Sequence, residues 1–245
     1  MTKFQLSCIT LGLAVLLTIV PGLNSFADEW KREISLGYNQ ANGNTDSAQL
    51  NLNGAIKYLM TEAEFSSSMD IYYGETNNTM DTQKWLSLTR YYYNFGEDKV
   101  WFNSYQLEVM HDFFADVDYR ITPATGLGHW FSKEEDWTAM LEGLLGYEIT
   151  EYRTPGKDKD EGAVFIAHTF MKKKVMEKAF LSEDLSLIPS LEGNGFRVKS
   201  ETAFINPIST SVDLTVKFIV DFNSEPSEDK KKTDTLFVTA LKYSF

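Results

Sequence analysis

Histidine is the side chain whose proton moves most readily near neutral pH, and this chain has three: His111, His129 and His168. A hydrolase would need one of them beside a nucleophile and an orienting acid. His111 is the best placed, next to Asp112 and seven residues after Ser104. There is no G-x-S-x-G and no repeated His–Ser spacing, so no catalytic residue is assigned and an enzyme is not expected. A Ser or Asp from a neighbouring strand within about 2.6–3.2 Å of a histidine would speak for one. The stretch "HDFFADVDY" holds three hard oxygen donors, Asp112, Asp116 and Asp118. They lack the spacing and the glycine of a calcium loop, so neither a metal nor a cofactor is expected. Phe113 and Phe114 beside them are expected to dip into lipid or plug a mouth. The run "EDKKK" at 228–232 could meet lipopolysaccharide phosphates, though a solvated loop tip is the better reading.

The elements that carry these residues are strands. In "SVDLTVKFIVDFN" (211–223), Val212, Leu214, Val216, Phe218, Val220 and Phe222 share one face of an extended chain. Ser211, Asp213, Thr215, Lys217 and Asp221 share the other, with Ile219 the exception. Side chains alternate across a strand, so one side is apolar and the other charged. Residues 47–58, 62–73 and 234–245 repeat the pattern over about eleven residues, where soluble strands run about five or six. A tilted strand crossing a bilayer needs about nine to eleven.

Twelve strands are predicted: 30–40, 47–59, 63–74, 84–95, 100–111, 119–131, 137–149, 162–171, 178–188, 196–205, 211–222 and 234–245. The fourth, fifth, eighth and ninth alternate poorly. The odd-numbered connections come out longer than the even ones, as in outer-membrane barrels with periplasmic termini. Trp30, Tyr38, Tyr58, Tyr73, Trp101, Trp130, Trp137, Tyr147, Tyr243 and Phe245 fall near strand ends, where interfacial rings gather. A closed barrel satisfies every backbone group in hydrocarbon. The fold class is therefore all-β: a transmembrane antiparallel β-barrel of twelve strands, with its apolar faces toward lipid.

Ahead of the barrel, Lys3, an apolar run from Ile9 to Val20 and the site Ser25-Phe26-Ala27 read as a cleaved secretory signal. The expected organisation is a signal peptide at 1–27 and a barrel at 28–245. The only cysteine, Cys8, leaves with the signal, so the exported domain has no disulfide. A formal charge of −12 excludes nucleic acid as a partner.

The chain ends "TALKYSF". Its aromatic last residue, with Tyr243 two before Phe245, resembles the C-terminal strand of bacterial outer-membrane barrels, which implies recognition by the barrel-assembly machinery. The stretches "SLGYNQANGNTDSAQLNL", "YRITPATGLGHWF", "SEDLSLIPSLEGNGFRVKSETAFINPISTSVDLTVKF" and "KKTDTLFVTALKYSF" together resemble the domain-of-unknown-function 481 family, salt-induced outer membrane proteins. The resemblance implies a barrel in the outer membrane of a Gram-negative bacterium, among lipid and lipopolysaccharide. It brings no catalytic residues. Pro123 departs from strand chemistry and is expected to mark a bulge.

The inward faces are the candidate site. Strands one to three contribute Lys31, Glu33, Lys57, Glu62, Glu64 and Asp70; strands ten to twelve contribute Arg197, Lys199, Glu201, Asp213, Lys217, Asp221 and Lys242. Mixed charges could line a narrow pore for small solutes or ions. They could instead pair and close a filled structural barrel that supports the membrane or binds surface ligands. The narrow or gated pore is the expectation.

Overall fold

The computed structural model describes residues 29–41, 47–193, 195–226 and 230–245. The expected signal at 1–27, the Asn42-Gly43-Asn44 turn and part of the 228–232 charge run lie outside the described residues.

Twelve strands follow one another: β1 (Glu29–Ala41), β2 (Ser47–Leu59), β3 (Ala63–Thr76), β4 (Thr79–Phe95), β5 (Trp101–Asp112), β6 (Val117–Lys133), β7 (Trp137–Tyr152), β8 (Asp160–Lys174), β9 (Phe180–Pro189), β10 (Phe196–Pro207), β11 (Val212–Asn223) and β12 (Thr233–Ser244). Each pairs antiparallel with its neighbours, and β1 closes on β12 from Glu33↔Ser244 to Gly37↔Ala240. Closure leaves no edge to be satisfied. The closing strands approach tightly at Gly37, where a Cβ would lie 2.8 Å from the Thr239 carbonyl oxygen. Both chain ends of the barrel lie at one end, here the terminal end; the other is the far end.

The register separates two faces. Ile34, Leu36, Leu107, Leu127, Leu145, Phe218 and Phe237 stand exposed on the outside. Leu145 is 62% exposed and Leu36 58%. The aromatics gather toward the strand ends on this face, with Trp30 stacked on Tyr58 at 4.4 Å and Tyr243 on Phe245 at 5.7 Å. Trp130 is the correction: it points inward and is buried against Tyr92, Phe102 and Met140.

Two other expectations change. The predicted nine-residue connection 75–83 is a two-residue hairpin, because Asn77 (φ 50°) and Asn78 (φ 60°) both take left-handed backbone. Asparagine tolerates that conformation, and paired left-handed residues match the twist of a hairpin. The long-odd, short-even alternation of connections is correspondingly weaker. Pro123 marks no bulge. It pairs with Leu107 on β5, and the β6–β7 register is unbroken from Ile121↔Ile149 to Ala124↔Gly146. The irregularities fall instead at Gly74/Glu75, Met110/Asp112, Val117/Tyr119 and Trp130/Ser132. Phe113 packs under the Arg153 guanidinium at 3.4 Å and against Phe114 at 5.0 Å.

Candidate functional site

Charge inside a barrel must be paired, hydrated or bound to something. Strand register puts Lys31, Glu33, Lys57, Glu64, Asp70, Arg197, Lys199, Glu201, Asp213, Lys217, Asp221 and Lys242 on the inner face. Glu62 sits in the β2–β3 turn, bonded to Lys99 at 2.9 Å. That ammonium holds its carboxyl below the usual range. Toward the terminal end Lys242 joins Glu33 (3.2 Å) and Asp213 (3.0 Å), and Lys57 meets Glu64 (2.7 Å). Lys217 meets Glu201 at 2.8 Å, and Asn53 donates to Asp70 at 3.0 Å.

Three ion pairs reach across the barrel rather than along it. Lys84 on β4 meets Asp221 on β11 at 2.8 Å. Lys199 on β10 meets Glu108 on β5 at 2.5 Å. Arg90 on β4 meets Asp184 on β9 at 3.9 Å, and its Nε donates to Gln106 at 3.0 Å. Each joins strands five places apart in a ring of twelve. Twelve strands about 4.8 Å apart and tilted about 40° would enclose a circle about 24 Å across between backbones. A lysine, a carboxylate side chain and their contact span only about 13 Å. The cross-section is therefore oval, with the β4–β5 wall drawn toward β9–β11 and the cations and anions interlocked as a septum.

The space beside the septum is uneven. A cavity of about 390 Å³ opens at the far end between β6 and β11, over Arg120, Glu148 and Arg197. Inside it, Arg90, Gln106, Glu108, Arg197 and Lys199 border a pocket of about 20 Å³, near the size of one water. Beyond that, Asp184 is 39% exposed and Lys57 42%, so water reaches the inner wall again. Apolar groups also fill part of the interior. Tyr92, Phe102, Trp130, Met140 and Phe170 cluster near the terminal end, and Ala124, Leu144, Val164, Ile166 and Ile188 cluster on the β6–β9 wall. Gly128 makes room for the first cluster, since a Cβ there would collide with the Phe102 ring.

His168, Ser104 and Glu142 are the most buried polar side chains among the described residues. His168 is fully enclosed, with Nδ1 on Glu142 at 2.6 Å and Nε2 on Asp184 at 3.1 Å. The Tyr92 hydroxyl donates to the same Glu142 at 3.4 Å. Asp184, on the neighbouring strand, is within the reach that would speak for an enzyme. Here both ring nitrogens are spent on carboxylates, which leaves none to activate a hydroxyl. His111 fares no better: it lies on the outer face bonded to the Asp118 carbonyl at 2.6 Å, whereas Ser104 points inward. Replacing His168 with Leu should strand the buried Glu142 carboxylate and cost about 3–5 kcal/mol at neutral pH. Urea unfolding in liposomes measures it, and a loss under about 1 kcal/mol would contradict the pairing.

The acids proposed as oxygen donors are dispersed. Asp112 accepts from the Phe114 and Ala115 N–H groups and lies 3.6 Å from Lys84. Asp116 accepts from the Thr154 N–H (3.0 Å) and hydroxyl (2.8 Å), tying the β5–β6 turn to the β7–β8 connection. Partial burial opposes its charge, but Thr154 and Lys157 together hold its carboxyl below the usual range. Among the described residues no three His, Cys, Asp or Glu side chains form a metal cluster.

A closed antiparallel barrel with apolar side chains outside and paired charges inside has the polarity of the barrels that span membranes. Within that class, the chain belongs to the family described as "Protein of unknown function, DUF481", which matches residues 34–245. No curated protein matches it. Among solved structures it is similar to the KdgM porin in complex with disordered oligogalacturonate (9% identity, 87% of this chain and 99% of that chain, TM-score 0.47). It is also similar to an outer membrane channel from Pseudomonas putida F1 (10% identity, 92% and 98%, TM-score 0.49). A third is the translocator domain of the autotransporter NalP from Neisseria meningitidis (8% identity, 99% and 97%, TM-score 0.48).

Proposed function

We propose that the protein sits in the outer membrane of a Gram-negative bacterium as a narrow channel for small solutes or ions, constricted by its own ion pairs. The observation that carries this is the polar septum of Lys84–Asp221, Lys199–Glu108 and Arg90–Asp184, with water-reachable space on both sides of it. Charged side chains from facing walls offer a permeating solute polar partners in place of its hydration water, whereas a packed apolar core would not. The exposed apolar belt supports the membrane setting. The reading gives catalysis no role: both ring nitrogens of His168 are held by carboxylates, and His111 lies on the opposite face from Ser104. In the same reading Tyr243 and Phe245 form the signal for the barrel-assembly machinery, lipopolysaccharide surrounds the far end, and residues 1–27 are a cleaved export signal.

The aromatic cluster of Tyr92, Phe102, Trp130 and Met140 favours a second reading, a filled barrel that serves structure alone. Liposomes carrying the refolded protein separate the two. A channel admits small neutral solutes and excludes larger ones with a sharp size limit; a filled barrel leaves the liposomes as tight as lipid alone.

A further inference from the structure

The cavity at the far end has a basic floor and an acidic rim. Arg120 and Arg197 project inward from β6 and β10 and share one carboxylate, Glu148. Arg197 is only 7% exposed, yet its Nη1 is buried with no hydrogen-bond partner among the described residues. A guanidinium presents its donors as a planar fork suited to a carboxylate; one prong here has no partner, and it meets a ligand in the cavity when the Arg197 side chain turns toward it. Above this floor stand Asp160, Glu192 and Glu225. Two glycines set where they lie. The Glu192 carboxylate is 3.2 Å from where a Cβ on Gly162 would be, and the Glu225 carboxylate 3.3 Å from one on Gly195. Gly162 pairs with Glu148 on the inner face, so the Glu192 carboxylate leans over the opening.

We propose that this vestibule binds small zwitterions of the amino-acid or dipeptide class. The carboxylate goes down onto Arg197 and Arg120, and the ammonium stays up among Glu192, Glu225 and Asp160. A simple anion would have to pass and then sit beneath three carboxylates. A simple cation would meet two guanidiniums at the bottom. A molecule carrying both charges satisfies floor and rim together, and about 390 Å³ lies within the size range of small-molecule sites. The proposal rests on the channel reading only in taking this mouth to face the medium; binding itself requires no permeation.

The test is calorimetric titration of the folded protein in detergent with glycylglycine, N-acetylglycylglycine and glycylglycinamide. The dipeptide has both charges, and each of the others lacks one. Glycylglycine is expected to bind about 10- to 100-fold more tightly than either blocked form. Arg197→Gln should weaken it by a similar factor, and Glu225→Gln, at the rim and away from the septum, by less. Migration of unheated samples on a gel confirms that each variant is folded. Equal binding of a blocked form, or no heat from glycylglycine with folded protein, would overturn the proposal. A protein that binds glycylglycine but passes no current would refute the channel and leave the site standing; a conducting protein without binding would do the reverse.

Discussion

Leu145→Arg is expected to destabilise the folded barrel in a bilayer by about 2–4 kcal/mol. Leu145 is the ninth of the sixteen residues of β7 and 62% exposed. Its cross-strand neighbours are Thr125 and Phe165 on the same outer face. In water, a charge at so exposed a position changes stability by no more than about 0.5 kcal/mol. The cost thus arises only if lipid covers this face. Leu191→Arg is the control. Leu191 is also exposed but lies in the β9–β10 connection, toward the far end, so its cost should be smaller. Equal small effects at both sites, measured by unfolding from liposomes, would place the apolar belt in water and remove the membrane from the account.

The second large effect is expected at Lys199→Glu. The new carboxylate would face Glu108, which is 8% exposed and 2.5 Å from the lysine it loses. Breaking a buried pair costs about 3–5 kcal/mol, and a like charge adds to it. Arg197 and Arg120 nearby reduce the penalty for Glu108, so about 3 kcal/mol is the expected net loss. Glu108→Lys alone should be similarly harmful. The double exchange restores the pair with its ends swapped, and should recover most of the stability. A double-mutant cycle reads that coupling. Additive losses would mean that the two walls do not touch. If the septum is the constriction, Lys199→Glu also shifts ion preference toward cations, most strongly at low salt where screening is weak.

Much of this fold was legible because bilayer barrels write their polarity in period two. β11 and β12 alternate cleanly, and so the inward positions Asp213, Lys217, Asp221 and Lys242 could be named from spacing alone. β4, β5, β8 and β9 were opaque for a physical reason. Their inward positions hold Leu86, Leu88, Phe102, Met110, Val164, Ile166 and Phe170, apolar groups that pack within the barrel. Their outward positions include polar groups as well. Glu183 on β9 faces outward and accepts from Ser200 and Thr202 of β10 at 2.7 and 2.5 Å. Ser67 and Thr89 bond each other on the same surface at 3.0 Å. Alternation fails wherever both faces carry both kinds of side chain. The septum was invisible for another reason: Lys84 and Asp221 are 137 residues apart, and no spacing rule joins them. His168 looked like an isolated histidine because Glu142 and Asp184 come to it only by strand register.

The central claim is that a polar constriction, rather than a solid core, divides this barrel. Single-channel recording in planar bilayers tests it most directly, on the wild type and on the paired deletion of the constriction, Lys199→Ala with Glu108→Ala. The account predicts small discrete current steps for the wild type and larger steps for the double variant, from which two long side chains have been cleared. Insertion without current in either protein would contradict it and leave a filled barrel.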